Sequence, residues 1–334
     1  MPEGQLWREA PAVDRQIAIA NGQQAKGWYV FHITTKMKKG HILHNPTAGN
    51  QDKTKKDLLN LMKVNGIECR YSSTKKIAWK KFDSDPDFLV IAGGDGTVRR
   101  VAVKLIEKEK FKNDIPILLL PLGTANNVAK SLGLEEEAET LLNKLPTAKT
   151  KLYDVGRVSG LKKDTIFLES LGFGIFPELM HKMQQIPERE DATPEENLER
   201  ALEILHGIIT DMPAQVYTVK VDDVTHTENY LMIEVMNTPS IGPNLNLSPQ
   251  SDPGDGLLEV VMVSESQREE FASYVSHKIS GVEKTFEPMT FRGTDITVVG
   301  GPGRIHVDDE LQELKKAKKI HVQTEPGMMD FFVQ

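Results

Sequence analysis

One stretch limits the folds open to this chain. The apolar run Phe88-Leu89-Val90-Ile91-Ala92 leads straight into Gly93-Gly94-Asp95-Gly96-Thr97, and a helical pattern starts at Val98. Strand, glycine turn and helix, in that order, are the opening parts of a βαβ unit. Glycines so closely spaced let backbone N–H groups approach an anion, and a helix start adds partial positive charge. Asp95 is placed to position a metal ion or accept a proton, and Thr97 to cap the helix or touch a phosphate. Read alone, the stretch is equally satisfied by a tight turn with an N-cap.

The flanking sequence repeats the arrangement. His41-Ile42-Leu43-His44 reads as a strand closed by Asn45-Pro46-Thr47-Ala48-Gly49-Asn50, then a helix over 53–64 and a strand over 67–72 that Thr74 closes. Ile115 to Leu120 is a further buried strand, ending in Pro121-Leu122-Gly123-Thr124-Ala125-Asn126-Asn127 before a helix over 128–132. Three successive strands thus end in loops of small polar residues. A parallel sheet sets such loops along its carboxyl edge, where open α/β sheets bind ligands. The fold class expected is α/β, with a parallel, Rossmann-like nucleotide domain over 37–148. Residues 1–36 show no clean periodicity and are expected to be a dispensable extension.

From Leu152 the pattern turns to short strands punctuated by turns, which predicts a mostly antiparallel β-sandwich domain over 151–318. A strand or tail over 319–334 is expected to return to the first domain. One helical insertion runs from Phe176 to Asp211. Its stripe of Leu198, Leu202, Leu205, Ile208 and Ile209 suits a core face, or the wall of a lipid-sized cleft.

Charge and motif content narrow the function. The formal net charge of -7 hides a basic excess in 37–150 and an acidic excess in 151–334, which suits a polyanionic ligand in the first half. Cys69 is the single cysteine, so no intrachain disulfide forms. No apolar run approaches the roughly 18 residues that span a bilayer, and a cytoplasmic protein is expected. The glycine turn is neither a P-loop nor the Gly-x-Gly-x-x-Gly of dinucleotide folds. No His-Glu-x-x-His, Cys-x-x-Cys or Gly-x-Ser-x-Gly is present, which argues against the common metalloprotease, metal-site and hydrolase templates.

Two acidic clusters stand out downstream. Asp308-Asp309-Glu310 follows an apolar strand; alternation puts Asp308 and Glu310 on one face, where a carboxylate can accept a hydroxyl proton during phosphoryl transfer. Asp252-Pro253-Gly254-Asp255-Gly256 is an oxygen-rich turn suited to a hard cation, or simply a turn.

Taken together, Asn45-Pro46-x-x-Gly49, Gly93-Gly94-Asp95-Gly96-Thr97, Pro121-x-Gly123-Thr124-x-Asn126, Asp255-Gly256 and Val307-Asp308-x-Glu310 resemble the bacterial diacylglycerol kinase and lipid kinase family, related to sphingosine and ceramide kinases. The likeness runs from about Lys38 to the C-terminus. It implies an ATP-dependent lipid kinase acting on a hydroxyl of a lipid such as diacylglycerol. Asn45, Pro46, Thr47, Ala48, Gly49, Thr74, Gly93, Gly94, Asp95, Gly96, Thr97, Arg99, Arg100, Thr124 and Asn126 would then line the ATP site. Asp95 and Asp154 would join a water-linked Mg²⁺ network. Glu310 would take the hydroxyl proton, with Asp308 beside it. A structural Mg²⁺ would be held by Asp255 and the carbonyls of Asp252 and Leu257. The implied partners are ATP, a lipid alcohol and, transiently, the inner membrane surface, with no nucleic acid; an exposed sandwich edge could make a homodimer.

The chain departs from the family pattern in three places. Arg99-Arg100 stands where many relatives have Asn-Glu, Asn127 where many have Asp, and Asp309 where Gly is usual. Two arginines could bind phosphate directly. Two rival readings remain at this level: a NAD kinase-like enzyme, since NAD kinases share the Gly-Gly-Asp-Gly-Thr turn, and a catalytically weak nucleotide- or lipid-binding protein.

Overall fold

The computed structural model describes residues 28–29, 39–49, 53–76, 86–107, 115–187 and 192–334. The expected leader, 1–36, lies outside the described residues except for Trp28–Tyr29. Its strands are β1 (Trp28–Tyr29), β2 (Lys39–His44), β3 (Glu68–Ser73), β4 (Phe88–Gly93), β5 (Ile117–Pro121), β6 (Lys149–Ser159), β7 (Thr165–Phe167), β8 (Ser170–Gly174), β9 (Gln215–Val221) and β10 (Val224–Met236). They continue with β11 (Ser240–Ile241), β12 (Leu245–Asn246), β13 (Leu258–Ser264), β14 (Met289–Gly293), β15 (Asp295–Gly300), β16 (Gly303–Val307), β17 (Glu310–Leu314) and β18 (Lys318–Val333). The helices are α1 (Lys55–Val64), α2 (Asp95–Glu107), α3 (Asn127–Ser131), α4 (Ala138–Lys144), α5 (Ile175–Gln185), α6 (Pro194–Asp211) and α7 (Arg268–Ile279).

The first half is a parallel sheet in the order β5-β4-β2-β3. β4 is buried at every position, as a central parallel strand covered on both faces must be. Helix α1 starts at a capping box, with Thr54 accepting from the Asp57 amide and Asp57 accepting from the Thr54 amide. That closes two of the N–H groups a helix start leaves open.

The second half is antiparallel, as its succession of short strands and turns predicts. β10 is its spine and pairs with β8, β9 and β13. Helices α5, α6 and α7 cover one face, and the stripe residues Leu202, Leu205, Ile208 and Ile209 are core against Met232, Val261 and Phe271. Helix α6 opens on a second capping box, Thr193 with Glu196.

β18 joins the halves. It pairs antiparallel with β6 over much of its length and parallel with β5 at Phe331 and Ile117. Phe331 and Phe332 insert into the first core, where Phe332 meets Phe88 edge-on at 6.0 Å between ring centroids. The described strands, apart from the β11–β12 pair, therefore form one continuous sheet.

Candidate active site

The loops after β2, β4 and β5 meet at the carboxyl edge. Asn45 N–H donates to the Ala92 carbonyl (2.9 Å), and Leu122 N–H to the Gly93 carbonyl (3.1 Å). Gly94 and Gly123 pack backbone to backbone: a Cβ on Gly123 would stand 2.5 Å from the Gly94 Cα. Gly49 has φ +54 and runs against the Leu122 carbonyl, a conformation and a closeness that favour glycine. Asn126, itself left-handed, closes its loop by accepting from Gly123 N–H (2.9 Å) and donating to Gly123 O (2.7 Å). Asn45 holds its turn by accepting from Thr47 N–H and Oγ1. Thr74 is buried, with N–H and Oγ1 both donating to His44 O, while Thr124 is exposed. Pro46, Thr47 and Ala48 fill the turn after β2.

Gly94, not Thr97, begins α2: its carbonyl accepts from Thr97 N–H (2.8 Å) and Val98 N–H (3.2 Å). Thr97 is buried beneath Gly93, whose missing side chain leaves it room. The Asp95 carboxylate turns away from its own helix and accepts from Asn127 N–H (2.9 Å) and Val128 N–H (3.0 Å), capping α3. Burial pushes its carboxyl above the usual range against those two donors.

The late acidic cluster comes to this turn. Val307 and Glu310 pair across β16 and β17, so Asp308-Asp309 is a two-residue hairpin turn. The Asp309 carboxylate lies over the start of α2, and a Cβ on Gly96 would stand 2.6 Å from Asp309 Oδ2. Positive φ falls at Asp308 (+49) and not at Asp309, so the departure from Gly at 309 meets no left-handed backbone. The strand alternation expected to put Asp308 and Glu310 on one face is replaced by this reversal: Asp308 is buried and Glu310 exposed.

Arg99 bridges the two. It is 6% exposed, with Nε 2.9 Å from Asp308 Oδ2 and Nη1 2.7 Å from Glu310 Oε1. Arg99 is therefore committed to carboxylates. Arg100 is exposed and its charge helps, after the Arg99 hydrogen bond, to hold the Glu310 carboxyl below its usual range. Asp308 also accepts from the N–H groups of Leu168 (3.0 Å), Glu169 (2.8 Å) and Ser170 (3.2 Å). Burial nevertheless raises its carboxyl to about 6, against Arg99 and those donors.

Glu169 escaped the sequence reading. It is half-buried, accepts from Asn127 Nδ2 at 2.7 Å, and is pushed well up by desolvation and by the Asp95 and Asp308 carboxylates. The signal was a lone acid inside the apolar run Phe167–Leu171. Asn127 Oδ1 is buried with no hydrogen-bond partner among the described residues. An orphaned oxygen beside two carboxylates that repel each other is a donor set that fits a hard cation. Among the described residues no group of three or more His, Cys, Asp or Glu side chains is arranged to hold a metal.

Asp154 stands elsewhere. Its carboxylate accepts from Gly256 N–H and Gly327 N–H, both at 2.7 Å, tying the Asp252–Gly256 turn to the β18 irregularity. Burial raises it to about 6. In that turn Asp252 is paired with Lys151 (2.6 Å) and Asp255 with Arg292, while Leu257 N–H donates to Asp255. Side-chain cations thus stand against both carboxylates of the turn.

Comparison with known proteins identifies the family. Residues 39–158 match the model of the diacylglycerol kinase catalytic domain, and 190–329 that of the YegS C-terminal NAD kinase beta sandwich-like domain. A protein named "Probable lipid kinase YegS-like" from Stenotrophomonas maltophilia is 26% identical over 75% of this chain and 81% of its own length. The diacylglycerol kinase of Bacillus subtilis is 24% identical over 73% and 80%. A crystal structure described as a diacylglycerol kinase from Bacillus anthracis superposes with a TM-score of 0.67 at 18% identity, over 90% of this chain and 99% of that one. With both domains matched in order, the chain belongs to the bacterial diacylglycerol kinase and lipid kinase family, whose members are phosphotransferases with an alcohol group as acceptor.

Proposed function

We propose that the protein transfers the γ-phosphoryl group of Mg·ATP to the hydroxyl of a lipid such as diacylglycerol. The observation that carries this reading is the bridge from the glycine-loop helix to the carboxylate turn. Arg99 and Glu310, 211 residues apart in sequence, are in contact, so a phosphate at the loops and a proton acceptor share one site.

In this reading the phosphates of ATP lie over the first turn of α2 and the Asn45–Gly49 and Gly123–Asn126 loops, where backbone N–H groups favour an anion. Asp95, Asn127 and Glu169 are the residues that would hold Mg²⁺, which when bound neutralises charge on the phosphates. The acceptor enters a cavity of about 420 Å³ beside Arg99 and Glu310, walled on its apolar side by Val103, Ile106 and Ile166. Lys162 and Lys163 also line it. Glu310 takes the proton as the lipid oxygen bonds to the γ-phosphorus and the bond to the ADP oxygen breaks. The proton then passes from the exposed carboxylate to water. Asp308 and Arg99 position Glu310 and supply fixed charge.

No helix among the described residues is long and apolar enough to cross a membrane. The reading has a cytoplasmic enzyme meeting the membrane surface only to collect its acceptor.

The test offers labelled Mg·ATP to mixed diacylglycerol micelles and, separately, to NAD. Label in lipid, lost about 10²–10⁴-fold in Glu310→Gln with ATP binding retained, is the expected result. Label in NAD alone overturns it.

A further inference from the structure

Two buried titratable groups in the second half have no part in the chemistry above. Glu234 on β10 has no exposed surface, and His306 on β16 is 3% exposed. His306 Nε2 lies 2.9 and 3.1 Å from the two Glu234 oxygens. His306 Nδ1 lies 3.0 Å from the Asp308 backbone carbonyl. A carbonyl can only accept, so Nδ1 carries hydrogen and the imidazole is oriented by contacts at both ends.

The pair reaches across a strand. Gly172 on β8 is in register with Glu234 on one side and with His306 on the other. Neighbouring strands are about 4.8 Å apart, so two side chains separated by a third strand meet only if that strand leaves space. A Cβ on Gly172 would run into the Glu234 carboxylate. Glycine at this one position allows the contact. Burying a carboxylate is costly unless it is paired, and no apolar packing need explains Glu234 here.

The far end of the chain of contacts is the turn itself. Asp308 holds a left-handed conformation, which residues other than glycine adopt only when their surroundings hold them there. Its N–H donates to Ser170 O at 2.8 Å, its carbonyl accepts from His306, and its carboxylate accepts from three β8-side amides and faces Arg99. The peptide after Asp308 leads directly to Asp309 and Glu310.

We infer that Glu234 and His306 are positioning residues for the phosphoryl-transfer reaction: Glu234 orients His306, and His306 fixes the Asp308 carbonyl and so the place where Asp308 and Glu310 stand. This rests on the lipid kinase reading. It adds residues on β10 and β16 that touch neither substrate.

The experiment compares wild type, Glu234→Gln and the double variant E234Q/H306Q. The double variant replaces the pair with two amides and leaves no lone buried carboxylate, which keeps the fold available. Transfer to diacylglycerol is followed with KM for ATP, together with thermal midpoint and amide exchange at Leu168, Glu169 and Ser170. The expected result for the double variant is a fall in kcat of about 10²-fold, the size of a misplacement near 1 Å. KM for ATP stays within twofold and the midpoint within a few degrees, while those three amides exchange faster. Glu234→Gln, which can still hydrogen-bond the imidazole, recovers most of the rate. Unchanged kcat overturns the inference, as does a joint collapse of kcat, KM and midpoint, the mark of a purely structural pair. If wild type itself transfers nothing, the kinase reading falls and the inference falls with it; where wild type transfers and the double variant keeps its kcat, only the inference is overturned.

Discussion

Replacing Arg99 by Met removes the guanidinium and keeps most of the apolar stem. Arg99 is nearly inaccessible, and the Asp308 side chain it faces is 1% exposed. Breaking a buried pair by removing one partner costs about 3–5 kcal/mol, because the other charge stays behind. Asp308 keeps three backbone donors, so the lower end applies, about 3 kcal/mol. The contact with exposed Glu310 adds little, about 0–1 kcal/mol. For a domain of 150–250 residues, each kcal/mol shifts the midpoint by about 2–4 °C, so a drop of about 6–12 °C is expected at pH 8.

The loss should depend on pH in a definite sense. Burial raises the folded Asp308 carboxyl to about 6, above the range of an ordinary, unburied carboxyl. The folded state thus holds the proton more tightly, and the group's contribution to stability is fully present at low pH and falls as pH rises through about 6. Arg99 offsets that fall only where Asp308 is charged. Melting wild type and Arg99→Met at pH 5 and pH 8 should therefore show a drop at pH 5 less than half that at pH 8. An equal drop at both values, or none at pH 8, refutes the assignment of Arg99 as the counter-charge to Asp308.

Two further substitutions separate the site from its scaffold. Gly123→Ala should weaken ATP binding at least about tenfold by calorimetry, with a stability loss of about 1–3 kcal/mol, since the added Cβ drives the Gly123 loop off Gly94; unchanged affinity would show that the loops do not carry the phosphates. Asp154→Ala should cost about 2–3 kcal/mol by orphaning two amides and leave transfer within about threefold. Lost transfer with retained stability would instead put Asp154 among the metal-linked residues.

Much of the fold is legible in the residues. The central parallel strands β4 and β5 announce themselves as short apolar runs ending in small polar loops, because a strand covered on both faces has no polar side to show. The helical stripe of α6 is equally plain. Helix α7 is not: only Phe271, Tyr274 and Val275 are buried among charged neighbours, too weak a pattern to separate from a loop. Asp154 reads as a metal-site acid, but its contacts with the amides of Gly256 and Gly327 are named by nothing in its neighbours in sequence.

By itself, then, the sequence determined the strand–loop–helix units, the three glycine-bearing loops and the family. These depend on local pattern, backbone freedom at glycine and residue order, all of which are one-dimensional. Only the tertiary structure decided which acids share a site. Arg99 meets Asp308 and Glu310, Glu169 meets Asp95 through Asn127, and Glu234 reaches His306 over Gly172, because separate strands and loops are brought into contact by the one sheet and its turns. Charge is read residue by residue in a sequence, but its energy depends on distance and burial, and those exist only once the chain has closed.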